Sequence, residues 1–306
     1  MKKNKLFVLS FIFSLFLIAI LGCAGTAATA EEYYLIGMAY FDLGKFEDAE
    51  KWLNRARQAD RTMIASTYNL GRLAYEMQRY EEAARHFENI LKRDPNNVLA
   101  LRAAAYTRIM LGDLTAAEKY YSRLLELVPE SADNGYNHAL VLFAMRRYSA
   151  AEEILEKYPF ALQEDRDVML LYARTQAALN KIEAIESYAN FLNYHSDVKA
   201  RFEYAQRLEF HELYARALEE FRKAHSEASA SSLDPKRSDI RFGIARVLLI
   251  ADGASNEGIT ELQGAVNDGF NDIPAIERLI NRVNTSNREA LRNIINNIRI
   301  ASETNP

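Results

Sequence analysis

Small and large apolar residues recur along the middle of the chain with a fixed 34-residue period. The most regular position is an alanine, which has a large apolar residue three positions before it and another four positions after it. These alanines are Ala49, Ala83, Ala117 and Ala151. Spacings of three and four residues place side chains on one face of an α-helix, so each period predicts an amphipathic helix around its alanine. A period of this length indicates a chain built from stacked repeats.

Further positions recur at the same period. The positions that flank the alanines hold Phe46, Tyr80, Leu114 and Tyr148 on one side and Leu53, Phe87, Tyr121 and Leu155 on the other. Twelve residues before each alanine the chain has a small residue, namely Gly37, Gly71, Ala105 and Ala139. Pro95 and Pro129 close the second and third units. The whole pattern resembles the tetratricopeptide repeat over four consecutive units, at about residues 30–165.

The resemblance implies that each repeat is a pair of antiparallel helices, in which the small residue of the first helix and the alanine of the second allow close packing. The proline stops the second helix, and Gly44 and Gly112 mark the turn inside two of the hairpins. The implied fold is all-α. It is a right-handed α-solenoid of about seven tetratricopeptide-like hairpins with C-terminal capping helices.

The repeats become irregular after residue 165. The signature of the second helix returns around Ala217, which lies two positions short of two full repeats after Ala151. The fifth repeat has therefore lost two residues, and its hairpin geometry stays open at this point. A degenerate seventh hairpin and two short amphipathic segments, Ile273–Val283 and Ser286–Ile300, complete the chain.

The N-terminus has the features of a targeting segment. Residues 1–5 are basic (MKKNK), and residues 6–22 form an apolar run of 17 residues that stops at Cys23, the single cysteine of the sequence. A basic start before a short apolar stretch predicts a secretory signal. The ending Leu21-Gly22-Cys23 resembles the lipobox of bacterial lipoproteins, which implies that Cys23 is acylated and becomes the mature N-terminus. An uncleaved anchor helix is the alternative, although 17 residues fall short of the roughly 20 that span a bilayer.

These assignments divide the chain into four parts. Residues 1–22 are the signal peptide, and residues 23–32 are the lipidated cysteine with a flexible tether. Residues 33–228 are the solenoid, with four regular 34-residue repeats followed by degenerate ones. Residues 229–306 are a degenerate repeat and the capping helices. Because several acyl chains on one residue attach a protein stably to a membrane, we expect the folded body to stay near a membrane surface.

In tetratricopeptide proteins the first helix of each repeat lines a concave groove through positions spaced i, i+4 and i+7. The resemblance therefore assigns twelve candidate groove residues, of which seven are aromatic. They are Tyr34, Met38, Phe41, Tyr68, Arg72, Tyr75, Arg102, Tyr106, Ile109, Tyr136, Leu140 and Phe143. Tyrosine combines a large apolar area with a hydroxyl group and suits recognition surfaces. An aromatic stripe at helical spacing is also typical of a core, and both interpretations stay open.

The residue types of the groove favour an extended peptide or a helix of a partner protein as the ligand, with a small hydrophobic molecule as the second candidate. Arg72 and Arg102 can meet a carboxylate or the face of an aromatic ring. Family members that clamp a C-terminal carboxylate carry lysine and asparagine at these groove positions, which here hold Tyr34, Met38, Tyr68 and Arg72. A carboxylate clamp of that type is therefore not expected.

The composition argues against several classes of partner and site. A formal charge of −4 argues against nucleic acid as a partner, since its binding needs a basic surface. A single cysteine excludes an internal disulfide, and the five histidines have no metal-ligand spacing. The sequence has no phosphate-cradling glycine loop and no Gly-x-Ser-x-Gly motif. We expect no enzymatic activity, no metal and no cofactor.

The N-terminal features and the repeats together predict a lipoprotein that acts as an interaction scaffold in the bacterial cell envelope, anchored at the periplasmic face. Its partners would be envelope proteins or peptides, in the assembly or docking of envelope complexes. The alternative is a transport-associated module that holds a small hydrophobic molecule or a solute-binding protein. Ala24, and not an aspartate, follows Cys23, which favours the outer over the inner membrane under the enteric sorting rule.

Overall fold

The computed structural model describes residues 28–229, 231–251, 255–283 and 285–304. Within these ranges the chain forms 17 α-helices and no β-strand, with one isolated bridge between Leu233 and Lys236. The contacts group the helices into two compact units, divided in sequence between Pro129 and Glu130. In the described ranges, no helix combines the length and the apolar character that crossing a membrane requires. The helical fold expected from the repeats is confirmed.

The first unit consists of three helical hairpins. Its helices are α1 (Ala30–Asp42), α2 (Phe46–Ala59), α3 (Ile64–Glu76), α4 (Tyr80–Leu91), α5 (Val98–Met110) and α6 (Leu114–Leu127). Each odd-numbered helix packs against the helix that follows it, and α2 and α4 also pack against the first helix of the next hairpin. This is the arrangement that the resemblance to the tetratricopeptide repeat implies.

Close helix packing explains the small residues of the repeat. Ala49, Ala83 and Ala117 have no exposed surface. A Cβ atom at Gly37 would lie 2.8 Å from Leu53 Cγ, and one at Gly71 would lie 2.6 Å from the ring of Phe87. Because real Cβ atoms do not approach carbon atoms so closely, a larger residue would push the two helices of the hairpin apart.

The turn inside each hairpin needs one residue in the left-handed region of backbone space. Gly44 has φ +69° and Gly112 has φ +74°, as expected for glycine in a tight turn. Gln78 occupies the same position in the second hairpin with φ 59°. The turn geometry therefore recurs from one repeat to the next even where the residue is not glycine.

The N-terminal boundary differs from the sequence prediction. The tether was expected to extend to residue 32, but α1 begins at Ala30. Thr29 caps the helix, since its hydroxyl accepts a hydrogen bond from the Glu32 N–H while the Glu32 carboxylate accepts one from the Thr29 N–H. These two bonds satisfy N–H groups that have no partner inside the helix, which moves the start of the helix into the expected tether. The signal peptide and Cys23 lie outside the described residues.

The second unit contains four hairpins, a one-turn helix that the sequence did not predict, and two terminal helices. Its helices are α7 (Ala132–Ala144), α8 (Tyr148–Leu155), α9 (Ala161–Glu164), α10 (Arg166–Ala178), α11 (Ala184–Tyr194), α12 (Val198–Phe210), α13 (Tyr214–Glu227), α14 (Arg237–Ala251), α15 (Asn256–Asn267), α16 (Ile273–Ile280) and α17 (Thr285–Thr304). The hairpins are α7/α8, α10/α11, α12/α13 and α14/α15. With the three of the first unit, they give the expected total of seven.

The irregular fifth repeat still forms a hairpin. The turn residue of this hairpin is Asn180, which has φ 58° and lies one full repeat after Arg146, the turn residue of the preceding hairpin. The turn residue of the next hairpin, Glu212, lies two positions less than a full repeat after Asn180. Ala184 is fully buried and takes the alanine position of α11, one position short of a full repeat from both Ala151 and Ala217. The two lost residues are therefore divided between the turn before Ala184 and the segment after it, and the helix pair is preserved.

The last four helices share a separate hydrophobic cluster. It includes Phe242, Leu262, Ile276 and Leu291, each from a different helix. The rings of Phe242 and Phe270 stack with their centroids 4.1 Å apart. The two terminal helices thus cover an apolar face of the seventh hairpin, which is the role expected of capping helices.

Candidate functional site

The twelve candidate groove residues all lie at least partly at the surface. Nine of them belong to α1, α3 and α5 of the first unit, and three belong to α7 of the second unit. Arg72, Arg102, Tyr106 and Leu140 are exposed, with Tyr106 at 49% and Leu140 at 40% of their full surface. The remaining eight are half-buried. The predicted positions are therefore surface positions, although most of them also take part in packing.

A buried asparagine connects the candidate residues of α1 and α3. Asn69 is 5% exposed, and its Nδ2 donates a hydrogen bond to the Tyr34 hydroxyl at 3.0 Å. Its Oδ1 accepts a bond from the Arg72 guanidinium at 3.1 Å. The guanidinium in turn lies 5.0 Å from the centroid of the Phe41 ring. Asn69 thus holds two predicted residues in place, and the sequence analysis missed it. The sequence feature that could have identified Asn69 is a polar side chain among the packing residues of α3.

Three candidate aromatic residues pack across the hairpin turns. The ring centroids of Phe41 and Phe46 are 5.8 Å apart, those of Tyr75 and Tyr80 are 5.3 Å apart, and those of Phe143 and Tyr148 are 5.1 Å apart. In each pair the first ring belongs to the first helix of the hairpin and the second ring to the second helix. The core interpretation therefore holds in part for these positions, because they stabilise the hairpin as well as facing solvent.

A small pocket lies between α3 and α5. Its volume is about 170 Å³, and Arg72, Tyr75 and Tyr106 line it together with Phe87. The structure thus brings three of the predicted residues from two repeats to one depression. Glu76 and Thr107 add polar groups to the lining. A pocket of this size accommodates one side chain, since sites for drug-sized ligands occupy roughly 300–1,000 Å³.

A buried tyrosine, Tyr121, does not line this pocket but interacts electrostatically with two tyrosines that do, Tyr75 and Tyr106. Tyr121 has no exposed surface, and among the described residues its hydroxyl has no hydrogen-bond partner. Burial raises the pKa of Tyr121 well above its ordinary value, with a further contribution from the nearby Tyr106. Burial also raises the pKa of Tyr75, as do Tyr80 and Tyr106. Tyr75 and Tyr121 therefore stay neutral and can serve as hydrogen-bonding groups.

The other two candidates on α5 behave differently. Arg102 is exposed and forms no ion pair with any residue that the structure describes. Ile109 is half-buried at the position that Phe41 and Tyr75 occupy in the preceding repeats. The third hairpin thus carries a free cation and a single exposed aromatic residue, Tyr106.

In the second unit, the three candidate groove residues lie on α7. Tyr136 and Phe143 pack at the edge of a cluster built around Leu142 and Leu155, whereas Leu140 is exposed. One repeat later, the position of Leu140 is held by Arg174, which donates two hydrogen bonds, of 2.8 and 3.0 Å, to the Glu203 carboxylate. An ion pair therefore takes the place of an exposed apolar side chain at this position of the next repeat. In the described ranges, no group of three or more histidine, cysteine or acidic side chains is placed to hold a metal ion.

Family models match the repeats directly. Two models described as tetratricopeptide repeat match residues 68–132 and 108–175. A third model, described as anaphase-promoting complex, cyclosome, subunit 3, matches residues 10–90. The matches cover the region in which the repeat period is most regular.

Two curated relatives illustrate the range of similar sequences. An uncharacterized lipoprotein of Treponema pallidum (strain Nichols) is 25% identical over 162 residues, which span 53% of this chain and 83% of the relative. Hsp70-Hsp90 organizing protein 3 of Arabidopsis thaliana is 34% identical over 129 residues, which span 40% of this chain but only 22% of the relative. The similarity to the plant protein therefore concerns a fraction of its length.

Solved structures show the same fold. A tetratricopeptide repeat protein of Parabacteroides merdae superposes with a TM-score of 0.57 at 18% identity, over 86% of this chain and 98% of the other. YrrB, described as a tetratricopeptide repeat protein with an unusual peptide-binding site, superposes with a TM-score of 0.54 at 18% identity, over 64% of this chain and 98% of the other. The repeat pattern and the family models together show that residues 68–175 consist of tetratricopeptide repeats, and the solved structures show that the chain shares the fold of such proteins.

Proposed function

We propose that this protein is a membrane-anchored scaffold that binds proteins or peptides in the bacterial cell envelope, and that it is not an enzyme. The observation that carries the proposal is the pocket of about 170 Å³ where Arg72, Tyr75 and Tyr106 meet. These residues come from two successive repeats and present a cation, two aromatic rings and two hydroxyl groups to one depression. Such a combination suits a side chain of a bound peptide.

Packing supports the view that the surface is prepared for binding. Arg72 is held between the Asn69 side chain and the Phe41 ring, so its guanidinium has a defined position before a ligand arrives. A preorganised cation loses less entropy on binding than a freely moving one. Tyr106 is half-exposed, which leaves about 49% of its surface to be buried by a partner. Burial of apolar surface of this kind is a main source of binding energy.

The pocket volume bears on the choice between a peptide and a small molecule. A pocket of about 170 Å³ is below the roughly 300–1,000 Å³ of typical small-molecule sites. The volume fits an anchor residue of an extended chain better than a complete hydrophobic molecule. We therefore prefer the peptide scaffold to the transport-associated module. A small molecule that co-purifies with the protein in native mass spectrometry would favour that second candidate.

The envelope location rests on the N-terminal sequence. The apolar run ends at Cys23, and a lipoprotein of Treponema pallidum is among the relatives. We propose that Cys23 is acylated and that the lipid anchors the protein at the periplasmic face, more readily in the outer than in the inner membrane. Since α1 begins at Ala30, six residues separate Cys23 from the first helix. Six extended residues reach at most about 20 Å, so the repeats would stay beside the membrane.

Lipid attachment can be tested with labelled palmitate in cells that express the full chain. We expect the wild-type protein to incorporate label and to enter the detergent phase of Triton X-114, and Cys23→Ser to do neither. An unlabelled wild-type protein would contradict the proposed anchor.

The binding role can be tested with a peptide library displayed on phage and panned against the full chain in neutral detergent. Peptides enriched in this way are then titrated against wild type, Tyr106→Ala and Tyr194→Ala by fluorescence anisotropy. Tyr194 is the matched control, because it is 76% exposed but lies on α11, outside the candidate residues. We expect Tyr106→Ala to weaken binding on the order of 10-fold or more and the control to bind as wild type. Equal binding by all three proteins would contradict the proposed site.

A further inference from the structure

A second pocket lies in the first unit, at the edge where one hairpin leads to the next. Its volume is about 520 Å³, and it is formed by the C-terminal ends of α2 and α4 and the first turn of α3. The end of α2 and the loop after it contribute Arg57 and Arg61, and the residues that follow α4 contribute Lys92 and Arg93. No candidate groove residue lines this pocket, so it is a separate site.

The lining of this pocket carries four positive charges and no carboxylate. Arg57, Arg61, Lys92 and Arg93 form no ion pair within the described part of the chain. Three of the other seven arginines of the first unit, Arg79, Arg108 and Arg123, lie beside carboxylate partners; Arg79, for example, lies 2.9 Å from Glu50. The four cations therefore form a concentrated positive patch in a chain whose net charge is −4.

The nearest carboxylates in sequence, Asp60 and Asp94, do not line the pocket and form no ion pair with its four cations within the described part of the chain. Asp60 accepts hydrogen bonds from the N–H and the hydroxyl of Thr62, at 2.7 and 2.6 Å. Asp94 accepts a bond from the Asn96 N–H at 3.2 Å and one from the Asn97 side chain at 3.1 Å. Both carboxylates are thus engaged in the turns that follow α2 and α4, and the cations are left to face the pocket.

Two of the arginine side chains are held in position by hydrogen bonds to neighbouring residues of the chain. The Arg93 guanidinium donates to the Arg61 carbonyl oxygen at 2.8 Å, and the Arg57 guanidinium donates to Asn54 Oδ1 at 2.8 Å. Cations at helix C-termini are favoured by the helix dipole, which explains part of their presence. The dipole does not explain why cations from two repeats converge on one cavity. A guanidinium has five N–H donors, so both arginines keep donors for a ligand.

We propose that this basic pocket binds a phosphate-bearing ligand that carries at least two negative charges. Three of the four cations are arginines, whose planar fork binds phosphate oxygens through paired hydrogen bonds. A single carboxylate would offset only one of the four charges, whereas a phosphate ester or diphosphate offsets more. Thr67 and Asn89 also line the pocket and supply uncharged donors. The phosphate can belong to a soluble monoester or diphosphate, or to a phospholipid whose headgroup ends in a phosphomonoester, since both present the same oxygens.

The proposal can be tested by isothermal titration calorimetry of the full chain in neutral maltoside micelles, with pyrophosphate as the probe. The pocket variant is Arg61→Glu/Lys92→Glu, because both side chains are exposed and neither has a hydrogen-bond partner among the described residues. The control is Lys51→Glu/Lys119→Glu, which makes the same change in net charge at two exposed lysines outside the pocket. We expect pyrophosphate to bind wild type and control with similar Kd. The pocket variant should bind on the order of 100-fold more weakly, as expected for the loss of two charged hydrogen bonds.

The source of the phosphate is distinguished by a second titration. Maltoside micelles doped with phosphatidic acid, whose headgroup is a phosphomonoester, displace pyrophosphate from wild type if the pocket accepts a lipid headgroup, and leave it bound if the pocket is selective for soluble esters. Both results support a phosphate site. The proposal is overturned if wild type binds neither probe, or if the control loses as much affinity as the pocket variant. Should the charge-reversed variant fail to fold by circular dichroism, Arg61→Gln/Lys92→Gln replaces it.

Discussion

The guanidinium of Arg72 lies 5.0 Å from the centroid of the Phe41 ring, so a cation of the second repeat rests on an aromatic residue of the first. The same guanidinium donates a hydrogen bond to Asn69, which also bonds to the Tyr34 hydroxyl. Packing and polar bonding thus join α1 to α3 through side chains at the predicted groove positions. A change in one of these residues should affect both the stability and the binding surface of the first unit.

The Asn69–Tyr34 hydrogen bond gives the first prediction. We expect Tyr34→Phe to lower the free energy of unfolding by about 1 kcal/mol in the wild-type background, because it removes one partner of a buried amide. In the Asn69→Ala background, the same change should cost little. Urea unfolding followed by circular dichroism for the four proteins of this double-mutant cycle measures the coupling. Additive effects would show that the bond contributes nothing to stability.

The alanine of the second hairpin gives the second prediction. Ala83 has no exposed surface and packs in a cluster with Ala74, Phe87 and Ala104. We expect Ala83→Leu to destabilise the protein by about 1–3 kcal/mol, since extra methyl groups in a filled core force the helices apart. Ala65→Leu is the control, because Ala65 is exposed on α3.

Thermal or urea unfolding measures the effect of Ala83→Leu. A comparison with Tyr106→Ala tests whether the packing and surface positions of the repeat are assigned to the correct helix faces. Tyr106 is half-exposed, so its truncation should cost less stability than overpacking at Ala83. A larger loss for Tyr106→Ala would mean that the packing and surface positions of the repeat are assigned to the wrong faces.

The buried hydroxyl of Tyr121 gives the third prediction. Because it has no partner among the described residues, its burial costs free energy that no hydrogen bond returns. We expect Tyr121→Phe to raise the free energy of unfolding by about 1 kcal/mol, whereas Tyr121→Leu should lower it by leaving a cavity. Differential scanning calorimetry of the three proteins checks both signs. A loss of stability in Tyr121→Phe would reveal a hydrogen bond to the hydroxyl.

His86 gives a prediction about pH. Burial lowers the pKa of His86 below its ordinary value, and the nearby Arg57 lowers it further, while Glu82 acts in the opposite direction. The unfolded chain therefore binds a proton at His86 more readily than the folded chain does. Stability contributed by the neutral side chain is present above the unfolded pKa of about 6.5 and is lost as the pH falls through that value.

The measurement is urea unfolding of wild type and His86→Gln at pH 7.5 and pH 5.5. Glutamine keeps a polar side chain at this position and does not titrate. We expect wild type to lose more stability than the variant between the two pH values, since the other titrating groups are common to both proteins. Equal losses would contradict the lowered pKa of His86.

Much of the fold was evident from spacing alone. The repeat period located the buried alanines, the small residues opposite Leu53 and Phe87, and the turns at Gly44 and Gly112. These features are local, since each depends on which side chains share one helix face or one tight turn. The resemblance to the tetratricopeptide repeat also placed the twelve candidate groove residues at the surface, without showing which of them meet.

Other features depended on contacts between repeats. Arg57 and Arg61 belong to the first hairpin and look like scattered surface cations in the sequence, yet they line one pocket with Lys92 and Arg93 of the second. Asn69 likewise acquires its role only because α1 lies beside α3. A periodic sequence determines which faces are apolar and where the helices end. Only the packed structure determines which polar side chains converge, because that depends on distances between helices that lie far apart in the chain.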